Sequence, residues 1–243
     1  MIQNNKVLFI IPFYNEENRI NIKEFEKAFR AYGDIDFLLI DDFSADNTRL
    51  ILEEFSVKFE NVNVLANAKN LGKAESIRNG VLTANNNYNY LGYLDADLAT
   101  PISEMTKLLE IILRRDEIKF IMGTRIKLLG NKVKRSLLRH YLGRIFATII
   151  SQFVLKIPIY DTQCGAKIIE TSLAKKLFEN PFYTRWLFDV ELLLRYRKND
   201  AHFEEKTMEV PLYEWVEKEN TKIKSNEFAM VPFQIIKLYV RYR

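Results

Sequence analysis

The sequence predicts an α/β domain on a mostly parallel, doubly wound sheet with helices on both faces. Two observations carry this prediction. Short apolar, β-rich runs alternate with longer helical patterns through the first half of the 243 residues, and strands buried on both faces read as continuous apolar runs. Polar clusters then follow several of those runs directly, where the ligands of such sheets bind beyond the carboxyl ends of the strands.

Strands are expected at Lys6–Ile11, Asp36–Ile40, Val62–Leu65, Tyr90–Leu94 and Phe120–Met122, with helical patterns at about Ile22–Tyr32, Asp46–Phe59, Gly72–Asn86 and Ser103–Arg115 between them. The second half is less regular. A long helix is expected over Lys134–Leu155, then an irregular turn at Asp161–Gly165 and a short strand at Ala166–Ile169. Helices near Ser172–Glu179 and Asp189–Lys198 precede a strand through Glu209–Tyr213, and a basic, apolar helix runs from about Asn226 to the end.

Composition narrows the function classes. A hydrophobic content of 48% with 28% charged residues belongs to a folded chain, not a disordered one. The single cysteine, Cys164, excludes an internal disulfide and fits a reducing compartment, where it reads as a small buried filler. The apolar run Val7–Ile11 is too short for a signal-peptide core. No stretch approaches the ~18 apolar residues of a membrane span, so the expected location is cytoplasmic. Net charge is +4, but Thr124 to Lys156 holds eight basic residues and no acidic one. Such a block points to an anionic partner. Nucleic acid is set aside, because no RNP, KH or Cys/His zinc pattern accompanies the block.

The chemistry-bearing residues sit after strands. Asp95-Ala96-Asp97 follows Tyr90–Leu94. Two carboxylates two residues apart at a strand end can face a hard cation shared with a diphosphate; a solvated turn or helix cap before Pro101 is the competing reading. Tyr14-Asn15-Glu16 and Asp41-Asp42 end the first two strands, where polar groups can bond a nucleobase and ribose. Asp46 reads better as a helix cap. Gly72-Lys73 opens a helix, where free amides and an ammonium group favour anions. His140 and His202 lack metal-ligand spacing.

Taken together, Pro12-Phe13-Tyr14-Asn15-Glu16, Asp41-Asp42-Phe43-Ser44-Ala45-Asp46-Asn47-Thr48, Asn70-Leu71-Gly72-Lys73 and Asp95-Ala96-Asp97 resemble, in order, the motifs of family-2 glycosyltransferases with a GT-A fold. The resemblance implies Pro12, Tyr14, Asn15, Glu16, Asp42, Lys73, Asp95, Ala96 and Asp97 at a nucleotide-sugar donor. It also implies Mg²⁺ or Mn²⁺ at Asp95 and Asp97, with Asp97 the more direct ligand. The segments Asp161–Lys167, Arg185–Leu193 and Val210-Pro211 look like those of polyprenyl-phosphate glycosyltransferases, especially the dolichyl-phosphate glucose subgroup. Trp215-Val216-Glu217 with Asn220-Thr221-Lys222-Ile223 is similar to a Trp-x-Glu and Gly-Ser-Lys-Ile signature, which brings Lys222 to the donor. On this resemblance, residues 1–223 form one transferase domain, with a donor half of about 1–125 and an acceptor half of about 126–223; residues 224–243 form an amphipathic basic helix.

The expected reaction is inverting transfer of a hexose, first choice glucose from UDP-glucose, to a polyprenyl phosphate. A phosphate monoester has its second pKa near ~6 and needs little deprotonation, so the enzyme must position it and screen its charge. Arg125, Arg135 and Arg139 are the candidates. A sugar-hydroxyl acceptor would instead need a carboxylate base, with Asp161 or Asp189 available; Asp161 could alternatively orient the acceptor loop. An inactive nucleotide-sugar-binding scaffold is the reading from another class. Ile145–Val154 and Phe228–Tyr242 are amphipathic with basic flanks. They suit packing on the core, a second subunit or a membrane-anchored partner, and also peripheral attachment to an anionic membrane at its cytosolic face.

Overall fold

The computed structural model describes residues 5–134, 143, 146–218 and 230–242. Four parallel strands build the first half: β1 (Val7–Phe13), β2 (Ile35–Asp41), β3 (Val62–Ala66) and β4 (Tyr90–Tyr93). Helices α1 (Ile22–Ala31), α2 (Thr48–Lys58), α3 (Lys73–Thr83) and α4 (Ile102–Ile112) follow them in turn. The second half supplies β5 (Phe120–Thr124), β6 (Lys132–Lys134), a π-helical α5 (Ile150–Leu155), β7 (Lys167–Glu170), α6 (Thr171–Phe178), α7 (Phe188–Asn199), β8 (Thr207–Pro211), β9 (Glu214–Val216) and α8 (Val231–Tyr242). The main sheet has seven strands in the order β3-β2-β1-β4-β7-β5-β8, and β6 pairs with β9 in a small second sheet. This is the expected fold class.

Side-chain alternation along β1 shows why the sheet is covered on both faces. Val7, Phe9, Ile11 and Phe13 enter one core with α1, α2 and α4, whereas Leu8 and Ile10 enter the other with α3, α6 and α7. Strand geometry turns successive residues to opposite faces. The first core is aromatic: Phe29 packs against Phe37 at 4.9 Å and against Phe55 and Phe59 at 5.4 Å each. Pro12 lies where β1 has outrun β4, whose pairing ends at Ile10↔Tyr93, so its missing N–H breaks no ladder with β4.

Two features depart from the expectations. The helix expected from Lys134 does not begin there, because Lys132–Lys134 forms strand β6 against Glu214–Val216, with Val133 buried between two exposed lysines. Much of the remainder of that expected helix lies outside the described residues. The other departure is in direction: β7 runs antiparallel to both β4 and β5. Its start therefore lies at the carboxyl ends of its neighbours, which carries the Asp161–Ala166 turn to the same rim as Asp95.

Candidate active site

The rim is held together by its own motifs. Past β1, the amide of Asn15 donates to Ser44 Oγ (3.0 Å), that of Glu16 to Thr48 Oγ1 (2.7 Å) and that of Glu17 to Asp46 Oδ2 (3.2 Å), while Ala45 N donates to Asn15 Oδ1 (2.8 Å). The Ser, Asp and Thr after β2 thus fasten the loop after β1. Asp46 also accepts from Thr48 N at 3.0 Å in a turn ahead of α2, whose N-cap position is held by Asn47 and not, as expected, by Asp46. Asp42 is 3% exposed, and its carboxylate accepts from Asn67 Nδ2 (2.9 Å), Leu71 N (2.8 Å) and Gly72 N (2.7 Å). It faces inward and fixes the turn that presents Lys73. Three strand-end residues have left-handed backbones: Asn15 (φ 49°), Phe43 (φ 65°) and Leu98 (φ 50°). Strain of this kind collects at functional loops. Tyr14 and Phe43 are 42% and 57% exposed on this lip, and Pro12 is half-buried.

Asp95 and Asp97 follow β4, both partly exposed, with Ala96 buried between them. Lys73 Nζ, at the start of α3, is ion-paired with Asp95 Oδ1. Burial alone would raise the Asp95 carboxyl; the Lys73 ammonium, helped by Arg125 and Lys167, holds it below its ordinary value. Asp97 goes the other way, raised by burial and then by the charge of Asp95. It accepts from Ala99 N at 2.9 Å, and Arg19 lies between it (4.0 Å) and Glu16 (3.2 Å). Gly165 closes the far side. A Cβ there would stand 2.2 Å from Asp95 Oδ2, so only glycine lets the two loops meet.

Elsewhere on the rim Arg125 follows β5 and grips Asp161 with both prongs, Nε to Oδ2 at 2.6 Å and Nη2 to Oδ1 at 2.7 Å. Asp161 also accepts from the amides of Arg125 (3.1 Å) and Gln163 (3.2 Å), which makes four hydrogen bonds to one carboxylate from these described residues. The guanidinium lies 5.4 Å from the centre of the Trp215 ring, a cation–π contact. Glu209 in turn accepts from the amides of Tyr160 (2.8 Å) and Asp161 (2.6 Å). Beneath these loops, Asp189 is buried. It takes an ion pair from Lys167 Nζ (2.7 Å) and a hydrogen bond from Tyr93 Oη (2.7 Å), so it is part of the core and not a base facing the rim.

Arg135, Arg139 and Lys222 lie outside the described residues, as does His140. His202 is exposed beside Glu205. Cys164 is buried, and burial pushes its thiol up to about 11, which leaves it inert. Four residues received no individual role from the sequence, although Gly165, Lys167 and Arg185 lie in the segments that carry the subgroup resemblance. Lys167, wholly buried, was visible as one charge in an apolar strand. Nothing local told what Tyr93, Gly165 and Arg185 would touch; Arg185 Nη2 reaches Leu71 O at 3.4 Å beside Gly72. Gly72 itself needs φ 83° to turn the chain into α3. Among the described residues, no group of three His, Cys, Asp or Glu side chains forms a metal cluster, and no helix is long and apolar enough to cross a membrane.

Comparison with known proteins agrees with this architecture. The model for glycosyl transferase family 2 matches residues 8–178. A dolichyl-phosphate beta-glucosyltransferase of Trichomonas vaginalis, ALG5D, is 30% identical, covering 98% of this chain and 74% of that protein. The dolichyl-phosphate beta-glucosyltransferase of Saccharomyces cerevisiae is 28% identical over 88% of this chain and 68% of its own length. Among solved structures, glucosyl-3-phosphoglycerate synthase from Mycobacterium tuberculosis, crystallised with uridine diphosphate, superposes with a TM-score of 0.72 at 16% identity, covering 99% of this chain and 80% of that one. The chain belongs to glycosyl transferase family 2 and is a nucleotide-sugar-dependent glycosyltransferase on a GT-A fold.

Proposed function

We propose that this transferase moves glucose from UDP-glucose to a polyprenyl phosphate of the dolichyl type, with inversion at the anomeric carbon. The observation that carries the acceptor assignment is the Arg125–Asp161 pair. A hydroxyl acceptor needs a carboxylate with free lone pairs to take its proton, whereas Asp161 already accepts four hydrogen bonds. A phosphate monoester arrives largely ionised, and Arg125 offers it positive charge held in place by Asp161 and Trp215. Relatives named for dolichyl phosphate that align with nearly the whole chain support the same reading.

On the donor side Tyr14, Asn15 and Glu16 form the lip for the base and ribose, with Pro12 beneath. Asp42 acts through the Asn67–Gly72 turn, which aims Lys73 and the first amides of α3 at the diphosphate. Two partly exposed carboxylates, Asp97 with its proton affinity raised by burial and then by the charge of Asp95, fit a hard divalent cation whose other ligands are diphosphate oxygens and water. Asp95 and Asp97 would hold Mg²⁺ or Mn²⁺, which when bound offsets the charge growing on the leaving diphosphate. Mn²⁺ is present in the Mycobacterium tuberculosis synthase crystallised with UDP and glucosyl-3-phosphoglycerate. A phosphate oxygen attacks the anomeric carbon as the bond to UDP breaks, and UDP leaves with the electron pair. Since the acceptor resides in a bilayer, the protein works peripherally at the cytosolic face.

A donor-by-acceptor screen with purified protein tests the reading. Transfer from UDP-glucose to a short polyprenyl phosphate is expected. Arg125→Ala should reduce that transfer about tenfold to hundredfold while sparing UDP binding, the loss of one charge-assisted contact. Transfer to a sugar hydroxyl that dies with Asp161→Asn, with none to polyprenyl phosphate, would overturn it.

A further inference from the structure

The helices α5 and α8 pack together against α7, and each has an outer side that no described element covers. Val231, Ile235, Leu238 and Tyr242 of α8 turn inward to the core. Phe233 (67% exposed), Ile236 (59%) and Val240 (72%) recur three and four residues apart on the opposite side, so they form one stripe. On α5, Phe153 is 64% exposed and Ile149 just before it 40%. Exposed apolar side chains grouped on one face in this way mark an interaction surface.

Charge selects the occupant. From Ile118 to Tyr160 and from Phe228 to Arg243 the sequence has no acidic residue. Lys237 and Arg241 line one edge of the α8 stripe, both resting on the Tyr183 ring at 5.7 and 4.8 Å, and Lys156 is exposed at the end of α5. Tyr183 begins the segment that leads through Arg185 to the Gly72 turn, so the cationic edge adjoins the donor loop. A second copy of the chain would set this edge against its own like charge in a twofold contact. An anionic lipid surface meets both the apolar stripe and the cations.

We infer that the exposed side of α5 and α8 is a membrane-docking face that seats the transferase on anionic lipid. The inference deepens the lipid-acceptor reading, yet vesicle binding is read without any transfer, so the two fail separately. Cosedimentation with phosphatidylcholine vesicles containing phosphatidylglycerol, and with pure phosphatidylcholine vesicles, tests it. The wild type is expected to bind the anionic vesicles at low salt and to release at high salt. Lys237→Gln with Arg241→Gln should lower the partition coefficient about thirtyfold, from ~1 kcal/mol per cation near the surface. Phe233→Ser with Ile236→Ser and Val240→Ser should abolish binding while UDP affinity, measured by calorimetry, stays at the wild-type value. Wild-type protein that ignores anionic vesicles, or a triple variant that binds them normally, overturns the inference. A wild-type dimer that the triple variant dissolves, with no vesicle binding, assigns the face to a second copy instead.

Discussion

Replacing Gly165 with alanine probes whether the loop before β7 and the loop after β4 form a single site. The added Cβ would stand 2.2 Å from Asp95 Oδ2 and 2.7 Å from its Cγ, inside any real carbon–oxygen contact. The Asp95 carboxylate must therefore retreat by roughly 1 Å, a displacement that can cost about a hundredfold in a positioned site, or about 2.7 kcal/mol. The fold should suffer less. Asp95 is partly exposed and can swing aside, so the stability loss should sit near the lower end of overpacking, about 1 kcal/mol. Turnover and Mn²⁺-dependent UDP binding by calorimetry report the first effect, and scanning calorimetry the second. Gly123→Ala is the control: its Cβ would meet Leu212 Cδ2 at 2.7 Å, so it should lower stability and leave cation-dependent UDP affinity unchanged. A Gly165→Ala enzyme with wild-type turnover and wild-type UDP affinity would refute the reasoning.

Three further outcomes are expected. Lys167→Met leaves Asp189 buried without its cation partner and should cost about 3–5 kcal/mol in chemical denaturation; a change under about 1 kcal/mol would show that Tyr93 alone satisfies the carboxylate. A proton and a divalent cation compete for Asp97, whose carboxyl is held above its ordinary value by burial and Asp95. Mn²⁺ affinity should therefore begin to fall, as pH drops, at a higher pH than an unperturbed aspartate would give, and Asp97→Asn should remove that pH dependence along with most of the affinity. Linkage has the matching sign: ionising a group with a raised folded-state pKa weakens the metal-free fold as pH climbs through that region, and Mn²⁺ should cancel the loss. Phe43→Gly should raise the melting temperature by the equivalent of about 1 kcal/mol, because φ 65° is strained for phenylalanine and free for glycine; an unchanged or lower value would mean that ring contacts outweigh the strain.

The rim was legible because each polar cluster directly follows an apolar run, and a parallel sheet sends all such ends to one side. Its internal wiring was not. Nothing in Ser44, Asp46 or Thr48 says that they bond the amides past β1, and Asp42 reads as a ligand until its carboxylate is seen filled by Asn67, Leu71 and Gly72. The direction of β7 left no trace either, since the alternation of Lys167–Glu170 is the same whichever way the strand runs. Lys132-Val133-Lys134 is a period-two signal too short to resist the helical pattern that follows it. The split over Asp161, base or orienter, depended on whether Arg125 reached it across 36 residues, a distance that no local pattern reports.

The antiparallel strand β7 also bears on how the molecule acquires its site. Among the described residues β5 joins the rest of the main sheet only through β7, and β8 only through β5. β4 pairs with β1 (Val7↔Tyr90) and with β7 (Tyr90↔Glu170) across similarly long stretches of sequence, and without β7 no strand pairing brings Arg125 and the Gly165 turn to Asp95. Loop closure over such separations is slow. Native-state hydrogen exchange should show β5, β7 and β8 opening as one unit, with the amides of β1 and β2 protected beyond it. In that opened form the rim would keep the loops after β1, β2 and β4 and lose Arg125 and the Gly165 turn, so completion of the rim and completion of the fold become the same event.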